Sequence, residues 1–282
     1  MCILFIYSNP NPPVDGYRLI IATNRDEIFK RPAAEVDKWV EDQYIIGGRD
    51  LEKGREGGTW FALSTRPINK QSFLRVGVLL NITGEPRLLK GRGRGNIIVD
   101  YVNSDQTGQK YINELRKNSH EFNAFNFIAI EIGDNLAKTY HYSNVDDKGV
   151  LELDTTKCLG LGNSLPDAPL KKVLAGEERF RDIVNIYNTK SDKDKLVEEL
   201  FYLLKWEDRH LPDPELERRA PEWKEYLSCI FVNIPEAGYG TRTHSIVLVD
   251  DKGRIDFLED TMQQPIQVEQ PIWRLKRISS HL

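Results

Sequence analysis

"CILFIY" (residues 2–7) is an apolar run that would fill both faces of a β-strand. "SIVLVD" (residues 245–250) repeats the pattern near the other end of the chain. A strand with one face in water alternates apolar and polar side chains, whereas a strand covered on both faces does not. The two runs therefore predict antiparallel strands buried between layers of other elements.

Strand-like segments follow CILFIY through the first half of the chain. Helical spacing of apolar residues marks 95–118, 168–188 and 193–206, and further strands follow from residue 226. Because no repeat and no flexible linker divides the sequence, we predict one α+β layered domain over residues 1–282.

The composition of the chain excludes several classes of function. Hydrophobic residues make up 40% of the 282 residues, and the net charge is −4 without a long basic run, so nucleic acid is not an expected partner. Three cysteines are too few for a disulfide framework and fit a reducing compartment. No segment is long enough to span a bilayer, so we expect an intracellular, soluble protein with at most peripheral membrane contact.

Cys2 raises a chemical question because it directly follows the initiator methionine. Removal of Met1 would leave a free α-amine beside the Cys2 thiol, and the amine could act as the general base for that thiol. The competing interpretation is a small apolar residue that opens a core strand.

Four polar residues follow the second predicted strand, in a segment for which we predict a tight turn: Asn24, Arg25, Asp26 and Glu27. Asp26 could orient a nearby thiol or amine, and Arg25 could lower the pKa of a thiol. The alternative is a capped, salt-bridged turn without a catalytic role.

Other candidate residues lie at predicted strand ends. Asn81 and Asn163 could donate to a developing oxyanion, and Arg242 could face a cleft; ordinary turn chemistry and a surface arginine are the alternatives. Residues 90–96, KGRGRGN, are either an anion site or a flexible cationic loop. The five histidines show no metal-type spacing, so we expect no metal site.

Several motifs in order, among them NRDE at 24–27, GGTW at 57–60 and YGTRT at 239–243, resemble those of the transport and Golgi organization protein 2 family, also called the NRDE family. The resemblance extends from residue 1 to about 260. It implies a cytoplasmic protein linked to Golgi organisation, secretion, lipid homeostasis, haem trafficking and mitochondria, with peripheral Golgi and mitochondrial association.

The layout resembles more distantly the N-terminal-nucleophile amide hydrolases of the penicillin V acylase and bile salt hydrolase group. That resemblance implies a four-layer αββα sandwich with Cys2 as nucleophile. It also implies a role for Asn24 and Asp26 in the turn, for Asn81 and Asn163 as oxyanion donors, and for Arg242 as the late arginine. Thr23 stands where those hydrolases carry an arginine, and Arg25 is the candidate replacement.

Three functions compete on this basis. The first is an amide hydrolase that uses Cys2, Asp26, Asn81 and Asn163. The second, which we favour, is a trafficking protein whose hydrolase-like pocket binds an amphipathic anionic ligand, either an acyl-CoA-like lipid or haem as cargo, with no required cofactor. Its predicted ligand-binding residues are Asn24, Arg25, Glu27 and Arg242. The third is a purely structural partner in the secretory pathway.

Overall fold

The computed structural model describes residues 2–68 and 70–282. The chain forms two compact units: unit 1 comprises residues 2–31 and 155–281, and unit 2 comprises residues 32–154. Each unit contains an antiparallel sheet and helices, which confirms the predicted α+β class. The prediction of a single domain over 1–282 stays a prediction.

The elements are numbered along the chain. The strands are β1 (Ile3–Ser8), β2 (Tyr17–Ile28), β3 (Ala33–Lys38), β4 (Ile45–Asp50), β5 (Phe61–Ser64), β6 (Leu74–Asn81), β7 (Phe125–Gly133), β8 (Leu136–Ser143), β9 (Leu151–Leu153), β10 (Leu159–Leu161), β11 (Asn233–Ile234), β12 (Tyr239–Asp250), β13 (Arg254–Met262) and β14 (Trp273–His281). The α-helices are α1 (Gly95–Asn103), α2 (Gly108–Arg116), α3 (Lys171–Tyr187), α4 (Lys193–Leu204), α5 (Pro214–Arg219) and α6 (Lys224–Leu227).

The sheet of unit 1 joins segments that are far apart in sequence. Its strand order is β10-β1-β2-β12-β13-β14, with β11 paired to β12. Helices α3 and α4 pack on one face, where the ring of Phe5 stacks on that of Phe180 at 5.6 Å between centroids. Because β1 lies between β10 and β2, it is an interior strand.

The sheet of unit 2 follows the chain. Strands β3 to β9 are neighbours in sequence order, so each connection joins adjacent antiparallel strands. Helices α1 and α2 cover this sheet through an aromatic cluster in which Tyr101 meets Phe127 edge to face at 5.4 Å. Such pairs stabilise a core beyond the area they bury.

Most predicted elements are confirmed, with several differences. The helical segment 95–118 is two helices, since Thr107 caps α2 by accepting a hydrogen bond from the Lys110 backbone. Residues 226–232, predicted as strand, form the end of α6 and a turn. Strands β3, β9 and β14 were not predicted, and α5 lies in a segment predicted as a loop.

The NRDE segment differs most from its prediction. We expected a tight turn after residue 23, but β2 continues to Ile28. The reason is tertiary: β12 pairs with β2 as far as Ile28, so the backbone groups of residues 24–28 are satisfied in the sheet and not by a turn.

Helices of bilayer-spanning length and hydropathy do not occur among the described residues.

Candidate functional site

The site is built around Cys2, which immediately precedes β1 in unit 1. Its Sγ accepts a hydrogen bond from the Asp26 backbone N–H at 3.4 Å, and the thiol lies 3.8 Å from the Asp26 carbonyl oxygen. Burial of the sulphur raises the pKa of the Cys2 thiol, and the negative charge of Asp26 raises it further. The thiol is therefore held in place and kept protonated. The predicted removal of Met1 concerns a residue outside the described part of the chain.

Asp26 is buried at the centre of this cluster. Thr241 Oγ1 donates a hydrogen bond of 2.6 Å to its carboxylate, as expected from the pairing of Thr241 with Asp26 between β12 and β2. The Tyr239 hydroxyl contacts the Asp26 carbonyl oxygen at 3.5 Å, and burial, followed by Asp26, raises the pKa of Tyr239. A threonine and a tyrosine of β12 thus fix the orientation of Asp26.

Lys172 adds a buried cation that we did not predict. Its Nζ donates to the Cys229 carbonyl oxygen at 2.8 Å. Burial lowers the pKa of Lys172, and the charge of Asp26 opposes that change. The sequence does contain a signal, because Lys172 lies four residues before Gly176 and eight before Phe180, on the apolar stripe of α3. A lysine in that position needs a polar partner in the core.

Arg25 precedes Asp26 in β2 and acts on Cys2 through its charge. Its positive charge opposes the rise in the pKa of the Cys2 thiol, as the smallest of the causes that act on it. The Arg25 guanidinium is 3.8 Å from the Glu27 carboxylate, which also lies 3.7 Å from Arg31. The three charges form a short chain of ion pairs.

Asn24 faces the helices. Its Nδ2 donates to the carbonyl oxygens of Leu204, at 2.8 Å, and of Ile230, at 3.1 Å. Its Oδ1 must then accept from His244 Nδ1 at 2.7 Å, which fixes the histidine tautomer. Burial, with a contribution from Lys205, lowers the pKa of His244 to about 3. Asn24 thereby ties β2 to the end of α4 and to β12.

Arg242 holds the chain that follows β2. It lies at the register shift between Thr241 and Thr243, and its Nη1 donates to the carbonyl oxygens of Ile28, Phe29 and Arg31 at 3.1, 3.3 and 2.5 Å. A guanidinium nitrogen engaged with three carbonyls fixes the path of residues 28–31. The predicted ligand contacts of Arg242 and Asn24 stay predictions.

The two predicted oxyanion donors lie in different units. Leu4 pairs with Leu161, so the buried Asn163, two residues later, lies at the same end of the unit 1 sheet as Cys2. Asn81 belongs to unit 2, where it is the exposed last residue of β6. Their oxyanion roles stay predictions. Within residues 2–68 and 70–282, no group of three or more His, Cys, Asp or Glu side chains is placed to hold a metal ion.

Comparisons with known proteins agree with the motifs. The model of the family described as Transport and Golgi organisation 2 matches residues 1–264. The chain is 41% identical over 267 residues to the Transport and Golgi organization protein 2 of Drosophila melanogaster, which covers 93% of this chain and 92% of that protein. It is 34% identical over 272 residues to the Homo sapiens homologue, with 93% of each covered. Among solved structures, Anbu from Hyphomicrobium aligns over 99% of this chain and 88% of its own, with a TM-score of 0.39 and 10% identity.

Proposed function

The chain belongs to the Transport and Golgi organisation 2 family, and we propose that it serves transport by binding a small amphipathic anion beside Cys2 without chemical turnover. The proposed ligand is an acyl-CoA-like lipid or haem, carried as cargo and not as a cofactor. We also propose the four-layer αββα sandwich for the fold, because the runs CILFIY and SIVLVD are apolar on both faces.

The observation that supports binding over turnover is the contact between Cys2 and Asp26. The Asp26 N–H holds the sulphur, while burial and the Asp26 charge raise the pKa of the thiol. The thiolate is the nucleophilic form of cysteine, so a thiol kept protonated reacts slowly. A neutral thiol in a fixed position instead forms part of a binding surface.

Arg25 is the proposed contact for the anionic group. Its charge acts on the Cys2 thiol, where it opposes the rise in pKa, so its guanidinium could meet a carboxylate or phosphate that binds beside Cys2. Arg242 is less suited, because its Nη1 already serves three backbone carbonyls. Binding would therefore depend on Arg25 more than on Arg242.

The second candidate is an N-terminal cysteine amide hydrolase. The location of Asn163 at the same end of the sheet as Cys2 favours it. After loss of Met1, the α-amine would take the thiol proton, and Sγ would attack the amide carbonyl. The amine product would leave with that proton, and water would then hydrolyse the thioester to release the acid. Asn163 would stabilise the oxyanion.

Intact mass and ligand titration separate the two candidates. Mass spectrometry of the purified protein reports whether Met1 is retained. Titrations with a fluorescent acyl-CoA and with haem then test the wild type, Cys2→Ala and Arg25→Gln, with Arg209→Gln as the control because Arg209 forms an exposed pair with Glu225.

If the protein binds its ligand without turnover, we expect Arg25→Gln to weaken the binding of one of the two ligands by roughly tenfold or more, because a charge-assisted contact is lost. Cys2→Ala should leave affinity within about twofold, since it removes a neutral group. Release of acid from a long-chain N-acyl amide by the wild type, absent in Cys2→Ala, would establish the hydrolase instead. Equal affinities of the wild type and Arg25→Gln for both ligands would contradict the binding proposal.

A further inference from the structure

The 85–94 loop of unit 2, which connects β6 to α1, presents apolar side chains to solvent. Leu89 is fully exposed and Leu88 is 45% exposed. Single exposed leucines are common on protein surfaces, but two in succession in one loop form an apolar point that faces solvent. Such a feature needs an explanation other than core packing.

The loop is anchored, so the exposure of the leucines is not that of a loose segment. The Leu88 backbone N–H donates to Asn123 Oδ1 at 2.8 Å. Arg55, from the connection between β4 and β5, donates to the Gly91 carbonyl oxygen at 3.1 Å. These contacts hold the base of the tip from two sides, and a pre-ordered loop loses little conformational entropy on binding.

Positive charge surrounds the tip. The 85–94 loop contains one acidic residue, Glu85, and four basic residues: Arg87, Lys90, Arg92 and Arg94. Arg92 pairs with Glu121 at 2.8 Å, and Arg94 donates to a backbone carbonyl at 2.8 Å. Arg87 and Lys90, which flank the two leucines, form no ion pair with any described residue and are exposed. This local excess contrasts with the net charge of −4 for the chain.

We propose that the 85–94 loop docks the protein on anionic lipid membranes. Leu88 and Leu89 enter the boundary between headgroups and acyl chains, and Arg87 and Lys90 contact lipid phosphates at the surface. Apolar insertion combined with basic side chains is the usual basis of peripheral membrane binding. A nucleic acid would use the cations but would leave the two leucines in water, so a membrane fits the whole tip better.

The proposal is independent of the proposed ligand at Cys2. It concerns residues of unit 2 only, and its variants leave Cys2 and Arg25 unchanged. A protein that floats with vesicles but binds no acyl-CoA or haem would contradict only the ligand proposal. A protein that binds ligand but does not float would contradict only membrane docking.

Vesicle flotation of the full chain provides the test, with phosphatidylcholine vesicles that contain or lack phosphatidylserine. Leu88→Ser/Leu89→Ser removes the apolar tip, and Arg87→Gln/Lys90→Gln removes the flanking charge. Val40→Ser is the control for an exposed apolar side chain, since Val40 is 93% exposed elsewhere in unit 2. Lys110→Gln/Lys171→Gln is the charge-matched control on two exposed helix positions.

We expect the wild type to float only with phosphatidylserine present. The charge variant should bind roughly fivefold more weakly for each basic residue removed, an effect that salt diminishes. The leucine variant should bind roughly tenfold more weakly. Both controls should match the wild type, and circular dichroism melting should be unchanged in all four variants.

Failure of the wild type to float, or flotation of both loop variants equal to that of the controls, would overturn the proposal. So would binding of a DNA or RNA duplex that the charge variant loses and the leucine variant keeps, in a protein that does not float. That result would show that the 85–94 loop binds nucleic acid and not a membrane.

Discussion

The two units bury charged side chains in different ways. In unit 1, Lys172 donates to a carbonyl oxygen and Asp26 accepts from Thr241. In unit 2, the three guanidinium nitrogens of the fully buried Arg75 have no hydrogen-bond partner among the described residues. Its neighbour across the strands is Glu131, which accepts from the Gly108 N–H at 2.6 Å.

This difference distinguishes two roles of buried charged side chains. A hydrogen-bonded buried charge holds neighbouring elements in a fixed arrangement, whereas a charge stabilised only by a nearby opposite charge contributes little net stability. The polar residues of unit 1 connect β2, β12, α3 and α4. We therefore expect polar substitutions to affect unit 1 more than unit 2.

Lowering the pH should produce the largest change in stability, because it titrates His244. Its pKa in the folded protein is lowered to about 3 from 6.5, so the unfolded chain binds a proton first as the pH falls. The part of the unfolding free energy that depends on neutral His244 is fully present above pH 6.5. It falls by about 4–5 kcal/mol in total as the pH is lowered to 3. Urea unfolding of the wild type and His244→Phe across this range measures the difference in slope.

The exposed His120 of unit 2 supplies the control variant, His120→Phe. That variant should keep the steep wild-type slope, and His244→Phe should flatten it. Equal slopes for His244→Phe and the wild type would show that His244 does not titrate as its burial implies.

Asn24→Ala should have the next largest effect, a loss of about 3–4 kcal/mol in unfolding free energy. The variant removes three buried hydrogen bonds and leaves two carbonyl oxygens and His244 Nδ1 without their partner. Chemical denaturation measures the loss, and the exposed Asn11→Ala in the same unit is the control. A loss below about 1 kcal/mol would refute the anchoring role.

Glycine substitutions compare the packing of the two units directly. A Cβ on Gly176 of α3 would lie 2.3 Å from the Phe5 ring, whereas a Cβ on Gly77 of β6 would lie 3.1 Å from Ile98. We expect Gly176→Ala to cost about 2–3 kcal/mol and Gly77→Ala about 1 kcal/mol. Thermal unfolding of the two variants gives the ranking, and the reverse order would contradict tighter helix–sheet packing in unit 1.

The smallest effects should come from removing the buried cations. Lys172→Met leaves the Cys229 carbonyl oxygen without its lysine donor and removes a positive charge from the surroundings of Asp26, and should cost about 1–2 kcal/mol. Arg75→Met combined with Glu131→Gln removes both charges of the unit 2 pair and keeps the acceptor for the Gly108 N–H, and should change stability by less than about 1 kcal/mol. Denaturant unfolding of both variants checks this. A larger loss for the double variant than for Lys172→Met would contradict the difference between the units.

Sequence patterns predicted unit 2 better than unit 1, and topology explains why. In unit 2 each strand pairs with its neighbour in the chain, so local periodicity determines most of the sheet. β14 was missed because none of its residues is buried, so its sequence, "WRLKRISSH", shows no apolar pattern. Strand β2 was cut short because its polar end is stabilised by β12, far along the chain.

The candidate site shows the same limit at the level of single residues. Cys2, Arg25 and Asp26 lie close in sequence to strand ends, and their proximity could be predicted from motifs. The contributions of Lys172, Thr241 and His244 depend on long-range pairing, which a single sequence does not reveal. Asn24 looked like part of the same constellation, yet its side chain is engaged with the Leu204 and Ile230 carbonyl oxygens and with His244.

The discontinuous sheet of unit 1 has a consequence for biosynthesis. Strands β1 and β2 leave the ribosome first, but β10 and β12, which pair with them, are translated after all of unit 2. Until then the apolar hairpin has two unpaired edges, the condition under which nascent chains aggregate or recruit chaperones. Translation speed through residues 32–238 therefore sets how long the nascent hairpin stays vulnerable.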